Sequence, residues 1–289
     1  MSTSPLSALP VRRLTLRDLS ACVGLSEDRG WPPEEHKWGL LLAAGTGFGI
    51  DDPAGGLVAA CVVTTYGPAQ RPELGAVGMV LVAERHSRQG VGRRLMRHAI
   101  AEMGPTPLTL HATAHGRPLY EELGFKVTGR AEMVRGVFRP GDDPEAEVFT
   151  RPATAEDLPA ILRLDDEVFG ADRTHMITRL PAFADQLRVA EESGRIIGYA
   201  SAWPNIDNHV VGPLIARDTE TAKALVASLA AHVAGPLRTD VDVRHEELLA
   251  WLKERGLASL SFNSVMTYGI PELPGDWKRR FAPLTVAAG

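Results

Sequence analysis

The sequence predicts a mixed α/β fold made from two copies of one unit. Three observations carry this. An apolar run at 77–83 passes through a Gly-x-Gly loop into an amphipathic helix at 92–103. A second strand–helix–strand series follows at 108–127. The opening of the chain also matches a stretch in its second half, in order and spacing. At 289 residues, 44% of them apolar, the chain suits two cores of ordinary size.

The run at 77–83 reads as a strand. In the helix after it, Leu95, Met96, Ala99, Ile100 and Met103 recur at helical spacing. Between them lie Arg88, Gln89, Gly90, Val91 and Gly92. Glycines let the backbone come close to a ligand, and the free N–H groups of a helix start favour an anion, so this loop is a candidate phosphate site. Residues 108–112 read as the next strand. Residues 117–123 read as a short helix carrying Tyr120, closed by Gly124, with a further strand from 125.

The repeat aligns Thr15 with Thr154, Asp18 with Asp157 and Leu25 with Leu164, at a constant offset of 139. The same offset places 56–61 on 195–200, and the segment ending at Ala83 resembles the one ending at Ala216. A match kept through three elements indicates duplication. The expected boundaries are 1–138 for the first unit, a Pro-, Gly- and acid-rich linker at 139–147, and 148–289 for the second. The halves differ where chemistry would sit. No Gly-x-Gly follows Ala216, where Asp218 and Thr219 can cap a helix instead. Leu252 stands where Tyr120 stands, four residues before a glycine. The second unit therefore reads as non-catalytic. Its apolar helices, at 221–233 and 246–252, are expected to bury against the first unit's sheet.

A formal charge of −5 without a polybasic block argues against nucleic acid or an anionic membrane as partner. Cys22 and Cys61 lie in apolar segments, and residues 1–13 contain no hydrophobic signal core, which points to a reducing, cytoplasmic setting. No apolar run approaches a membrane span. The histidines do not fall at metal-ligand spacing, so no metal is expected.

The glycine loop after a strand, followed by LYEELGF at 119–125, resembles the GCN5-related N-acetyltransferase (GNAT) family over roughly residues 10–138, and the whole resembles its tandem members. The resemblance implies transfer of an acetyl group from acetyl-CoA, the co-substrate, to an amine. It implies that Ser87, Arg88, Gln89, Gly90, Val91, Gly92 and Arg93 face the pyrophosphate, with Thr113 nearby. Two positions depart from the family pattern: Ser87 stands where Arg or Gln is usual, and Thr113 where Asn is frequent. Backbone from the strand at Val80, Leu81 and Val82 would pair with the pantetheine arm and stabilise the oxyanion. Splaying of that strand from 108–111 would admit the thioester.

Tyr120 is the candidate general acid, since a phenol of pKa about 10 stays protonated at neutral pH. His111 is either the base or a structural histidine, because the central strand offers no acid. Trp31, Glu34, Glu35 and Trp38 lie where the acceptor is expected. They either bind it or begin a capped surface helix. The favoured function is N-acetylation of a small-molecule amine. The alternatives are a sensor or scaffold that binds acyl-CoA or a metabolite without turnover, and acylation of a protein lysine. The acceptor itself, and the oligomeric state, are not readable from the chain.

Overall fold

The two halves begin alike. Thr15 N–H donates to Asp18 Oδ2 at 2.8 Å, and Thr154 N–H donates to Asp157 Oδ2 at 2.7 Å; both turns are capping boxes. Arg12 donates to Asp18 and Arg151 to Asp157, each at 2.7 Å, so the repeat extends to the ion pair that anchors the turn. In this computed structural model residues 6–141 and 148–289 are described; the part of the expected linker at 142–147 lies outside them.

The first half runs β1 (Arg12–Leu14), α1 (Leu19–Asp28), α2 (Glu35–Ala44), β2 (Thr46–Asp51), β3 (Leu57–Tyr66), β4 (Leu74–Val82), α3 (Val91–Met103), β5 (Leu108–Ala112), α4 (Arg117–Glu122) and β6 (Lys126–Gly136). The second runs β7 (Phe149–Pro152), α5 (Leu158–Phe169), α6 (Thr174–Ile177), α7 (Leu180–Phe183), β8 (Gln186–Glu192), β9 (Arg195–Pro204), β10 (His209–Ala216), α8 (Thr219–Ala230), β11 (Leu237–Asp242), α9 (Glu246–Glu254), β12 (Ala258–Tyr268) and β13 (Arg280–Ala282). Helix α3 exists because its apolar residues form one stripe: Val91, Leu95, Met96 and Ala99 are buried on it. The short helices α4 and α9 end in the same way. Gly124 and Gly256 take φ of +95° and +96°, and the next residue's N–H returns to the carbonyl of Tyr120 in one half and Leu252 in the other.

The strands form one sheet in the order β1-β2-β3-β4-β5-β12-β6-β11-β10-β9-β8-β7, with β13 added on β10. The halves therefore exchange their last long strands. β12 of the second half lies between β5 and β6, pairing Val265 with both His111 and Gly129. β6 of the first half pairs with β11 and does not touch β5.

Three clusters of buried side chains fill the layers. One joins α3 and α4 to β2–β5. One joins α8 and α9 to β8–β11 and takes in Val134 of the exchanged β6. The third joins α1 and α2 to α5, α6 and residues 284–288. The expectation that α8 and α9 bury against the first half's sheet is corrected here. They cover their own half's strands, and from the other half β6 and Phe138 just after it reach them. The halves are bound instead by strand exchange and by the α1–α5 layer, where apolar side chains of both halves share one buried cluster.

Candidate active site

Strands β4 and β5 pair in parallel only over Gly75–Val77 and Leu108–Leu110, then part. Opposite Cys61, β4 holds two residues, Met79 and Val80, and Met79 has φ +53°. This bulge twists β4 away from β5. It sits at 79–80, and Leu81 and Val82 are back in register with Ala60 and Ala59. The edge of 78–82 that faces away from β3 has no strand partner among the described residues, and so offers backbone groups to an extended ligand.

Past β4 the chain makes a turn at Glu84–His86, then an exposed loop in which Arg88 has φ +58° and Gly90 φ +77°. Gly90 is the N-cap of α3, and no side chain caps that end. A Cβ on Gly90 would meet nothing within 4 Å, so the first N–H groups of α3 open onto free space. Gly92 is closer packed, 3.3 Å from a Val82 methyl by the same construction.

Asp52, in the β2–β3 turn, moors this loop. It accepts from Ala54 N–H at 2.8 Å, from His86 Nε2 at 2.8 Å and from Arg85 Nη2 at 2.5 Å. Burial works against ionisation of Asp52, yet these donors hold its pKa down to about 2. Asp28 accepts from Glu84 N–H at 2.6 Å, and Arg29 pairs with Glu84 and reaches Ser87 Oγ at 3.3 Å. Gln89 donates to the Arg85 carbonyl at 3.1 Å, and Arg93 pairs with Glu122 of α4. Asp52 and Asp28 were missed in the sequence, where lone acids in turns carry no signal.

Tyr120 lies in α4 against Phe125, 8% exposed, and Gly116 lies close to the edge of its ring. Burial raises its hydroxyl pKa above the ordinary value. Thr113 Oγ1 accepts from Gly116 N–H at 3.1 Å and so starts the α4 turn. His111 stands where β5 has just parted from β4, on the face opposite α3. Burial, and then Arg280, push its pKa down to about 4, so its ring is neutral at physiological pH. The Val286 backbone lies beside its ring and opposes that shift.

On the acceptor side the four expected residues separate. Trp38 is fully buried and donates to Ser26 Oγ at 2.9 Å, fixing α2 to α1. Trp31 and Glu35 are exposed, and Glu35 borders a shallow groove shared with His36, Arg179 and Phe183. Glu34 turns inward to pair with Lys37, and meets Asn205 at 3.2 Å and Arg238 at 3.5 Å, both from the second half. The end of the chain crosses this face. Ala287 packs directly on Gly78, Tyr66 donates to the Ala288 carbonyl, Trp203 donates to the Leu284 carbonyl at 3.1 Å and Arg173 to the Gly289 carbonyl at 3.0 Å.

The second half repeats the notch but fills it. β10 pairs with β11 only at His209 and Val210, and beyond the register shift β13 occupies the gap, pairing Leu214 with Ala282. Its helix start is closed too: Asp218 Oδ1 accepts from Thr221 N–H at 2.8 Å. A phosphate would have to displace a carboxylate of its own sign there.

Sequence and structure comparisons agree with this geometry. The family "Acetyltransferase (GNAT) domain" matches residues 62–138 in one form and residues 161–282 in another. The "Uncharacterized N-acetyltransferase YitH" of Bacillus subtilis (strain 168) is 28% identical over 244 residues, 82% of this chain and 84% of that one. A solved chain from Pyrococcus horikoshii superposes with TM-score 0.81 at 15% identity, covering 100% of this chain and 99% of its own. A tandem GNAT protein from the clavulanic acid biosynthesis pathway gives TM-score 0.64 at 13% identity, over 91% and 99% of the two chains. With a GNAT match in each half and the notch, bulge and glycine loop in the first, the chain belongs to the GNAT N-acetyltransferases as a tandem member.

Proposed function

We propose that the first half transfers an acetyl group from acetyl-CoA to a small amine. The observation that carries this is the pairing of a parted, bulged strand with an uncapped helix start: one suits a pantetheine arm, the other its pyrophosphate. In this reading Val91, Gly92 and Arg93 hold the phosphates through backbone N–H groups, and the β4 edge at Val80–Val82 aligns the thioester. The neutral amine attacks the carbonyl carbon, a C–N bond forms and the C–S bond breaks. Tyr120, kept protonated by burial, gives its proton to the departing sulfur. The second half, with its notch filled by β13, supplies walls rather than turnover.

Thiol release from acetyl-CoA across a panel of amines, with the N-acetyl product identified by mass, tests the proposal. Release matched by acetylated product supports it. One observation favours a second reading, binding without turnover: Val286 and Ala287 lie over His111 and Gly78 on the acceptor side. Tight CoA binding with no amine-dependent thiol release would select that reading.

A further inference from the structure

Beneath β13 lies a small cavity between the halves, bordered by His111, Asp240, Asp242, Trp277 and Arg280. It opens on the side of β5 where that strand has just left β4, since His111 follows Leu110, the last residue paired with β4. Two of its charged groups are buried with one atom each left unpaired. Asp240 is 4% exposed, and its Oδ1 accepts no hydrogen bond; its other oxygen meets Arg238 Nη2 at 3.4 Å. Arg280 is 5% exposed, and its Nη1 donates none; its guanidinium stacks on Phe169 and Trp277 at 4.2 and 4.5 Å. Asp242, by contrast, is satisfied by Arg244 through two bonds of 2.8 and 2.7 Å.

Leaving a buried carboxylate oxygen and a buried guanidinium nitrogen unpaired is costly, and such groups persist where something else completes them. The cavity leaves about 10 Å³ for the centre of a water-sized sphere, room for one water. A larger occupant needs the cover at 277–283 to shift, and that cover is tied to β10 by a strand of three residues.

We propose that this cavity is the acceptor subsite and that the acceptor is a small amino acid, an amine that also carries a carboxylate. This rests on the acetyl-transfer reading above. Arg280 takes the carboxylate, which a planar guanidinium fits in two-point fashion. Asp240 takes an N–H of the amino group, and then the proton that the nitrogen sheds as its bond to the acetyl carbon forms, while the sulfur is protonated by Tyr120. Burial raises the Asp240 pKa, against the pull of Arg238 and Lys37, which makes it a better proton acceptor than an exposed aspartate. No carboxylate lies within ion-pairing distance of Arg280 among the described residues; burial, and then Arg173, lower its pKa to about 9 against the pull of Asp165 and Asp242, so it remains a cation at neutral pH. The half that lost its own notch would thus define the substrate of the other.

The test compares each amino acid with its decarboxylated amine, phenylalanine with phenethylamine and alanine with ethylamine, on the full-length protein. Expected is a kcat/KM at least 10-fold higher for the amino acids, a margin lost in Arg280→Met and kept in part in Arg280→Lys. Asp240→Asn should lower kcat for every acceptor, while Glu220→Gln, on the exposed side of α8, leaves the preference intact. Calorimetric binding of phenylalanine to the CoA-loaded protein supplies a readout independent of turnover. Equal or better use of the decarboxylated amines overturns the proposal and leaves acetyl transfer standing. Arg280-dependent binding of phenylalanine without any acetylation supports the subsite and overturns acetyl transfer. Absence of amino-acid binding in the wild type overturns the subsite, whatever the variants do.

Discussion

Gly90→Ala separates the cost of folding from the cost of binding at the glycine loop. A methyl group there meets no atom within 4 Å, so the folded protein loses only the strain of a non-glycine residue at φ +77°, roughly 1 kcal/mol. The bound state is different. In the proposed mode the pyrophosphate lies over the first N–H groups of α3, and a methyl on the N-cap residue competes with it for that open space. Each hydrogen bond to a charged oxygen is worth about 1.5–3 kcal/mol, so displacing one weakens CoA binding roughly 10- to 150-fold. Arg88→Ala removes an exposed charge worth about 0.2–1 kcal/mol, at most about 5-fold. Calorimetric titration with CoA gives the affinities, and a thermal melt of each variant checks the fold. If Gly90→Ala binds within 3-fold of wild type, or Arg88→Ala proves the more damaging, the backbone cradle is the wrong account of this site.

Three further outcomes are expected. Tyr120→Phe should leave CoA affinity unchanged and lower kcat by roughly 10²-fold, read by steady-state kinetics; an unchanged kcat removes Tyr120 from the proton path. His111 has a folded pKa of about 4, below its ordinary value near 6.5, so the stability it allows is complete above pH 6.5 and falls as pH drops toward 4. Denaturant titrations of His111→Gln should flatten that part of the stability profile, and an unaltered slope would contradict the assigned pKa. Val134→Ala, on the exchanged β6, deletes two methyl groups from a fully buried site in the second half's core, a loss of about 2 kcal/mol or slightly more. Calorimetry should show one melt displaced by several degrees; two melts, with only one of them moved, would mean that the halves unfold separately.

What was legible in the sequence was local. Helix α3 and strand β5 announce themselves through apolar spacing, and Gly124 marks the end of the α4 turn by the conformation it must take. The repeat was legible down to the Thr–Asp pairs, because a capping box is set by residues three apart. Strand exchange was not. β6 and β12 carry the same alternation whichever neighbour they pair with, since a period of two states a face and not a partner. The same limit hid Asp240 and Arg280, which meet His111 only after strands some 130 and 170 residues away have been laid beside it. It also hid the role of residues 280–288, where a three-residue strand and a turn show no periodicity to read.

The exchange also sets the order in which the molecule can be finished during synthesis. When the first 141 residues have left the ribosome, β5 lacks a neighbour on one edge and β6 lacks both of its neighbours, because β12 and β11 are still to be made. Three raw strand edges then wait for about 130 residues of translation. An equivalent strand from another copy of the chain carries the same residues and fits the same gap, so the complementary partner in trans is always on hand in a polysome. Such a chain depends on its second half arriving on time, which gives the half whose gap is filled by β13 a reason to be retained that has nothing to do with chemistry.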